Sequence, residues 1–309
     1  MLKENGTAKR KGAAAMAHKR NGRAQRREAA AAACFLLPSV LGTALFVLAP
    51  FAETVRRSFT NALGTQGAGL ANYRAVLGNA AFRLAAGNTA RFLCVCVPLL
   101  LAVSFALALA VRPLAKGRAP RAARRLKTAF LLPMALPVAS VALLWQALFA
   151  RRGAVNGLLA ALGAQEVDFM GTGAAFWVLV GTYVWKNAGY DMVLWLAGLG
   201  AVPDSLYEAA AVDGATRWQT LRRITLPQLA PTLALTALLS LVNAFKAFRE
   251  AYLVAGSYPH ESIYLLQHLF NNWFASLDMG RLTAAAVLSA LALLALALPL
   301  QRAMRGGGA

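Results

Sequence analysis

The sequence predicts an all-α fold that crosses a membrane several times. Three observations carry this reading: six apolar stretches of about the length that spans hydrocarbon as a helix, a one-sided distribution of lysine and arginine, and no short alternating pattern of the kind a membrane barrel needs. Apolar residues fill 59% of the 309 positions and charged residues only 14%, an apolar share above that usual in soluble domains. Backbone amides and carbonyls find no water in lipid, so runs this long imply helices that satisfy their own hydrogen bonds.

Taken in order, a basic tail over 1–28 opens the chain. It is polar and poor in large apolar residues, so disorder and attraction to anionic headgroups are expected. The first span is expected over 29–51, retained rather than cleaved, because an unusually long basic run precedes it and further spans follow. Segment 52–90 reads as a turn-rich loop, "ALGTQGAGLANY", and then a short helix along the outer surface. Spans two and three, 91–111 and 128–149, hold Pro98, Pro133 and Pro137, each of which removes a backbone donor and is expected to kink its helix. Spans four, five and six are expected over 174–197, 231–254 and 282–300, with a short tail over 303–309. The plan is a membrane domain over 29–302, its core over 88–302, between two tails on the same side.

A formal charge of +20 suits a nucleic-acid binder, but the cations sit where membrane topology puts them. With the N-terminus in the cytoplasm, 21 of the 32 lysines and arginines fall on that side, seven on the other and four within spans. Both termini are therefore expected in the cytoplasm, and so is the segment over 203–228. Cys34, Cys94 and Cys96 all fall within spans, where a thiol behaves as a small hydrophobe, and Cys94 and Cys96 point to different helix faces. His260 and His268 lack acidic or thiol companions at metal spacing, so no metal site is expected.

The segment "YEAAAVDGATRWQTLRRITLPQL", residues 207–229, is the polar interruption between two apolar stretches. Pro203, Asp204 and Ser205 read as a helix start, the short oxygens accepting from free amides. That helix is expected to end at Asp213–Gly214, where glycine takes a positive φ and acts as a hinge. A second helix is expected from Thr216, with Trp218, Leu221 and Thr225 near one face, Arg222 and Arg223 in solvent or headgroups, and Pro227 as its end. By spacing alone this is equally a pair of amphipathic helices resting on a membrane surface.

Glu208, Ala209 and Ala210, then Gly214 after three residues, then Ile224, Leu226 and Pro227 after nine more, form a complete EAA(x3)G(x9)IxLP pattern. This resembles the signature of permease subunits of bacterial ATP-binding-cassette importers, and the wider stretch from Ala201 to Leu233 looks like their sugar-transporting branch. The resemblance implies a type I importer permease in the cytoplasmic membrane, with 203–228 docking on ATPase subunits through Glu208, Ala209, Ala210, Asp213, Gly214, Ile224, Leu226 and Pro227. It implies as partners a second permease, two ATPases, an external solute-binding protein and a sugar. ATP and magnesium would belong to the ATPases, since the chain has no GxxxxGK[ST] stretch and no cofactor of its own is expected.

Span four carries "YVWKNAGYDMV", which places Trp185, Lys186, Asn187, Tyr190 and Asp191 at hydrocarbon depth, where ionisable groups usually face a cavity or a partner. They are candidates for a solute pathway. Alternatively Lys186 snorkels to a boundary and Asp191 pairs with a neighbouring span. Span five adds Asn243 and Lys246 on one face, with Glu250 as a possible ion-pair partner of Lys246. The segment "SYPHESIYLLQHLFNNWF" resembles the outer loop of sugar permeases and is expected to meet the binding protein. Glycerol phosphate or another polar solute is the runner-up cargo, for which Lys186 or Lys246 would supply charge. A secondary transporter using Lys186 and Asp191 for ion coupling is the alternative from another class, and it leaves the signature unexplained. An enzyme is not expected, since neither HExxH nor GxSxG occurs and no catalytic residue is assigned.

Overall fold

The computed structural model describes residues 31–61, 64–246, 249, 251–252 and 256–306; the side chains of residues 116, 118, 303 and 305 lie outside that description. The expected disordered tail over 1–28 and Glu250, the expected partner of Lys246, fall outside the described residues. The chain forms two compact units, up to Arg57 and from Ser58 onward.

Where described, the first unit is α1, Ala31–Ser58, short of its last residue, and this helix runs past the expected end at residue 51. A π-helical turn at Ala44–Leu48 lies within it. Glu53 receives Arg56 at 2.7 Å and Arg57 at 2.8 Å, and the two arginines complement the partial negative charge of the helix C-terminus.

The second unit opens with a turn in which Asn61 Oδ1 accepts from the amides of Thr65 at 2.9 Å and Gln66 at 3.3 Å. Then come α2, Ala71–Gly78, and α3, Ala80–Pro113. Asn79 caps α3, its side chain accepting from the Phe82 amide at 3.0 Å. The expected boundary at residue 91 is therefore corrected. The helix runs unbroken from its cap at Asn79 to Pro113, with Pro98 carried inside it. At 34 residues α3 is about 51 Å long, well beyond the ~30 Å hydrocarbon layer, so its ends project past the span.

A π turn at Leu114–Arg118 leads to α4, Pro120–Ala135, and α5, Val138–Phe149. The chain bends by 93° between them, at Leu136 and Pro137. Of the three prolines expected to kink spans, Pro137 is the one at the break, where it both ends one helix and precedes the next. After α6, Ala154–Ala161, comes α7, Ala174–Ala201. The remaining elements are α8, Asp204–Val212; α9, Arg217–Gln228; α10, Ala230–Phe245; α11, Leu266–Ala275; and α12, Met279–Gly306. The expected tail at 303–309 is helical as far as Gly306.

No β-strand is present among the described residues beyond an isolated bridge between Thr60 and Gly67. Among the described residues three helices, α1, α3 and α12, are long and apolar enough to cross a membrane, or five when α4 to α6 and α9 with α10 each count as one bent span. The six expected spans are thus not all borne out by length and composition. The exception is α7: it has 28 residues, but Lys186, Asn187, Tyr190 and Asp191 lower its apolar character at the centre.

Burial explains how α7 carries that polarity. It packs along α3, with Phe176, Val180 and Tyr183 against Phe92, Cys96 and Leu100 in one cluster. At the other end Met192, Trp195 and Leu199 pack with Ala108, Val111, Ala123 and Leu229. Glycine permits the tightest contact: a methyl group at Gly189 would sit 1.9 Å from the Phe130 carbonyl oxygen of α4. Polar ties cross the same interfaces. Trp195 Nε1 donates to Ser104 Oγ at 3.0 Å, and Ser240 Oγ of α10 donates to Asp191 Oδ2 at 2.6 Å. Among the cysteines Cys96 is buried and Cys94 exposed, as their spacing predicts for opposite faces.

Candidate functional site: the helix-turn-helix over 203–228

The α7 backbone becomes extended at Val202, and Pro203 turns it into α8. Asp204 is not the cap expected of it. Pro203 occupies the capping position with no side-chain bond, and Asp204 lies within the first turn, where a carboxylate favours the helix dipole.

The end of α8 is a Schellman motif. The Gly214 amide donates to Ala211 O at 3.2 Å and the Ala215 amide to Ala210 O at 2.9 Å, while Gly214 adopts φ = +69°. Two residues on, a capping box starts α9. The Thr216 hydroxyl accepts from the Gln219 amide at 3.3 Å, and Gln219 Oε1 accepts from the Thr216 amide at 2.7 Å. Stop and start signals back to back make the corner rigid rather than a loose hinge. Sequence reasoning found Gly214 and the start at Thr216 but missed Gln219, which the T-x-x-Q spacing of 216–219 could have revealed.

Within α9 the turn at Leu221–Thr225 is π-helical, and this rotates the packed face. Trp218, expected beside Leu221 and Thr225, is 65% exposed, while Thr225 is 3% exposed. Leu229, the next buried residue, lies four places beyond Thr225. Nor does Pro227 end the helix. It lies at the start of the helical piece Leu226–Gln228, and the 68° bend comes at Leu229, before α10.

The signature residues divide by exposure. Ala210 is buried, whereas Glu208, Ala209, Asp213, Gly214, Leu226 and Pro227 are exposed and Ile224 is half-buried. Ala209, Ala210, Asp213, Gly214 and Ile224 share one groove between α8 and α9, with Gln219 on its wall. Val212, 88% exposed, and Trp218 leave apolar side chains uncovered at the corner. The opposite side rests on the cluster of Val111, Leu199, Val202 and Leu229, with Tyr207 packed against it.

The span-four candidates do not converge. Lys186 is 8% exposed and Asp191 2%, and Asp191 is tied to α10 through Ser240. Asn187 and Tyr190 are half-buried, and Asn187 Nδ2 donates to Tyr183 O of its own helix at 2.8 Å. Trp185 is 41% exposed and meets Trp145 edge-on, with ring centroids 6.0 Å apart. Asn243 and Lys246, near the end of α10, are both exposed.

Away from 203–228, the far end of the bundle is fastened by α3. Asn88 Nδ2 donates to Glu261 O and Tyr264 O, and Thr89 Oγ1 accepts from the Leu266 amide at 3.0 Å. His268, fully buried, accepts at Nδ1 from the Leu265 amide at 3.2 Å. Burial holds its imidazole down at about 4, below the ordinary value of 6.5.

Comparison with known proteins agrees with this architecture. The trehalose/maltose transport system permease protein MalF of Thermococcus litoralis is 32% identical over 271 residues, covering 85% of this chain and 90% of that protein. The diacetylchitobiose uptake system permease protein DasB of Streptomyces coelicolor is 32% identical over 286 residues, covering 88% and 86%. A solved bacterial ABC transporter involved in import of the acidic polysaccharide alginate superposes with a TM-score of 0.77 at 24% identity, covering 88% of this chain and 94% of that one. At that identity the likeness establishes the fold, that of an importer permease. The model of the family described as "Binding-protein-dependent transport system inner membrane component" matches residues 102–305. The chain therefore belongs to that family, the membrane-embedded permeases of ATP-binding-cassette importers.

Proposed function

We propose that this permease carries a carbohydrate, a mono- or oligosaccharide, across the cytoplasmic membrane of a bacterium, and that separate ATPases drive it through 203–228. The carrying observation is the rigid corner between α8 and α9. It presents Glu208, Val212 and Trp218 to solvent and stands on a packed core continuous with α3 and α7. A corner held by two interlocking caps transmits a push rather than absorbing it. Glu208 offers its carboxylate to a cation on the ATPase.

The cargo class is supported by the relatives named above, whose names give trehalose, maltose and diacetylchitobiose as their solutes. As partners we propose a second permease, two ATPases that hold the ATP and magnesium, and an external binding protein. Exposed Asn243 on α10 and Lys246 just beyond its end suit a pathway shared with the second permease better than buried Lys186 and Asp191, the latter bonded to Ser240 of α10.

Two measurements test the reading. Glu208→Ala should lower recovery of the ATPase with the purified permease several-fold, and unchanged recovery removes the assigned role. A thermal-shift panel on the binding protein with maltose, trehalose, diacetylchitobiose and glycerol phosphate should respond to a sugar. A response to glycerol phosphate alone favours a phosphate cargo instead.

A further inference from the structure

Arg112 closes α3, and its guanidinium carbon lies 4.4 Å from the centroid of the Tyr207 ring of α8. The same group reaches the Asp204 carboxylate at 3.9 Å. Tyr207 in turn meets Thr225 of α9, hydroxyl to hydroxyl, at 3.3 Å. One arginine of a membrane helix thus touches α8 at two points and, through Tyr207, extends to α9. The ion pair is the weaker contact, because its length is at the limit of direct pairing and Asp204 is 64% exposed. The stacked ring is better shielded, since the Arg112 side chain is 18% exposed and Tyr207 packs against the cluster beneath.

We propose that Arg112 is the positioning residue that makes α8 and α3 move as one body, so that force applied at 203–228 enters the membrane helices through Arg112, Tyr207 and Thr225. This rests on the coupling function proposed above. The bland alternative is that Arg112 is only one more cation of a basic loop, placed by topology. A topology charge has no need of a ring, and here a planar guanidinium lies over one. Helix α3 also suits the role, because it packs along α7 at both ends of the bundle.

The test uses the importer assembled with its ATPase and second permease, with Cys34, Cys94 and Cys96 replaced by alanine. Spin labels go on Val212→Cys at the end of α8 and Leu99→Cys on the exposed side of α3. The distance between them is measured without nucleotide and with ATP trapped by vanadate. With Arg112 and Tyr207 present, the distance should stay within about 2 Å between the two states, the scale of ordinary helix adjustments. Arg112→Met, Arg112→Lys and Tyr207→Leu should each match that distance without nucleotide but exceed the limit once trapped. The Arg112→Met/Tyr207→Leu double variant should go no further than either single one.

A distance that changes with both residues present overturns the brace. So does one that stays fixed in Tyr207→Leu, which alters no charge and decides the question even if Arg112→Met fails to insert. Failure of the underlying reading looks different: Val212→Cys would never cross-link to the ATPase in the assembled importer, and the brace would fall with it.

Discussion

At Gly214 the backbone is held at φ = +69° by two amide bonds of the Schellman turn, a conformation that a β-branched side chain resists. Gly214→Val should cost roughly 1–2 kcal/mol locally and reduce uptake sharply while leaving membrane insertion intact. Uptake at the unaltered rate would show that the turn's geometry is not needed. His268 gives a second test at this scale, through pH. Its folded value of about 4 lies below the ordinary 6.5, so between these values the unfolded chain binds the extra proton and stability rises with pH. The contribution, about 3 kcal/mol at most, is present above pH 6.5 and lost as pH falls towards 4. The thermal midpoint of the solubilised protein should therefore drop over that window. His268→Asn, which keeps an acceptor for the Leu265 amide, should flatten the drop.

Among the elements, α7 is where local reading and structure part most clearly. Hydropathy makes it a poor span, yet the bundle encloses it on several sides, and its polar centre is tied by Asp191 to α10. Its approach to α4 depends on a missing side chain. Gly189→Ala would drive a methyl into the Phe130 carbonyl and should destabilise the fold by about 1–3 kcal/mol. Gly181→Ala on the same helix meets nothing within 4 Å and should be neutral or slightly stabilising, since alanine suits a helix better than glycine. Equal thermal midpoints for the two variants would mean that α4 and α7 do not approach so closely. In α9 the π turn moved Trp218 off the packed face, a change of register that a count by threes and fours does not foresee.

For the whole molecule, the charge distribution and the corner at 203–228 lead to one orientation. An impermeant thiol reagent should reach Arg217→Cys only from the cytoplasmic side and Tyr258→Cys, at an 80% exposed position, only from the opposite side. Label on Arg217→Cys from outside would leave the corner with no ATPase to meet. The loop at the other end, pinned to α3 by Asn88 and Thr89, offers a firm surface for the external binding protein proposed as a partner.

By itself the sequence determined the features whose causes are local: helices from apolar runs, a glycine at the corner, a helix start at Thr216, and the signature from Glu208 to Pro227. Tertiary structure alone decided which of these residues work together. Trp195 and Ser104 are 91 positions apart, and the Leu266 amide and Thr89 are 177 apart, separations at which no periodic pattern carries information. Arg112 reads as a topology charge until the fold lays it over Tyr207. Asp191 reads either as a pathway residue or as a tie to a neighbouring span, and only the fold supplies Ser240 as its partner. A buried polar group is defined by what surrounds it, and those surroundings exist only once distant helices have packed.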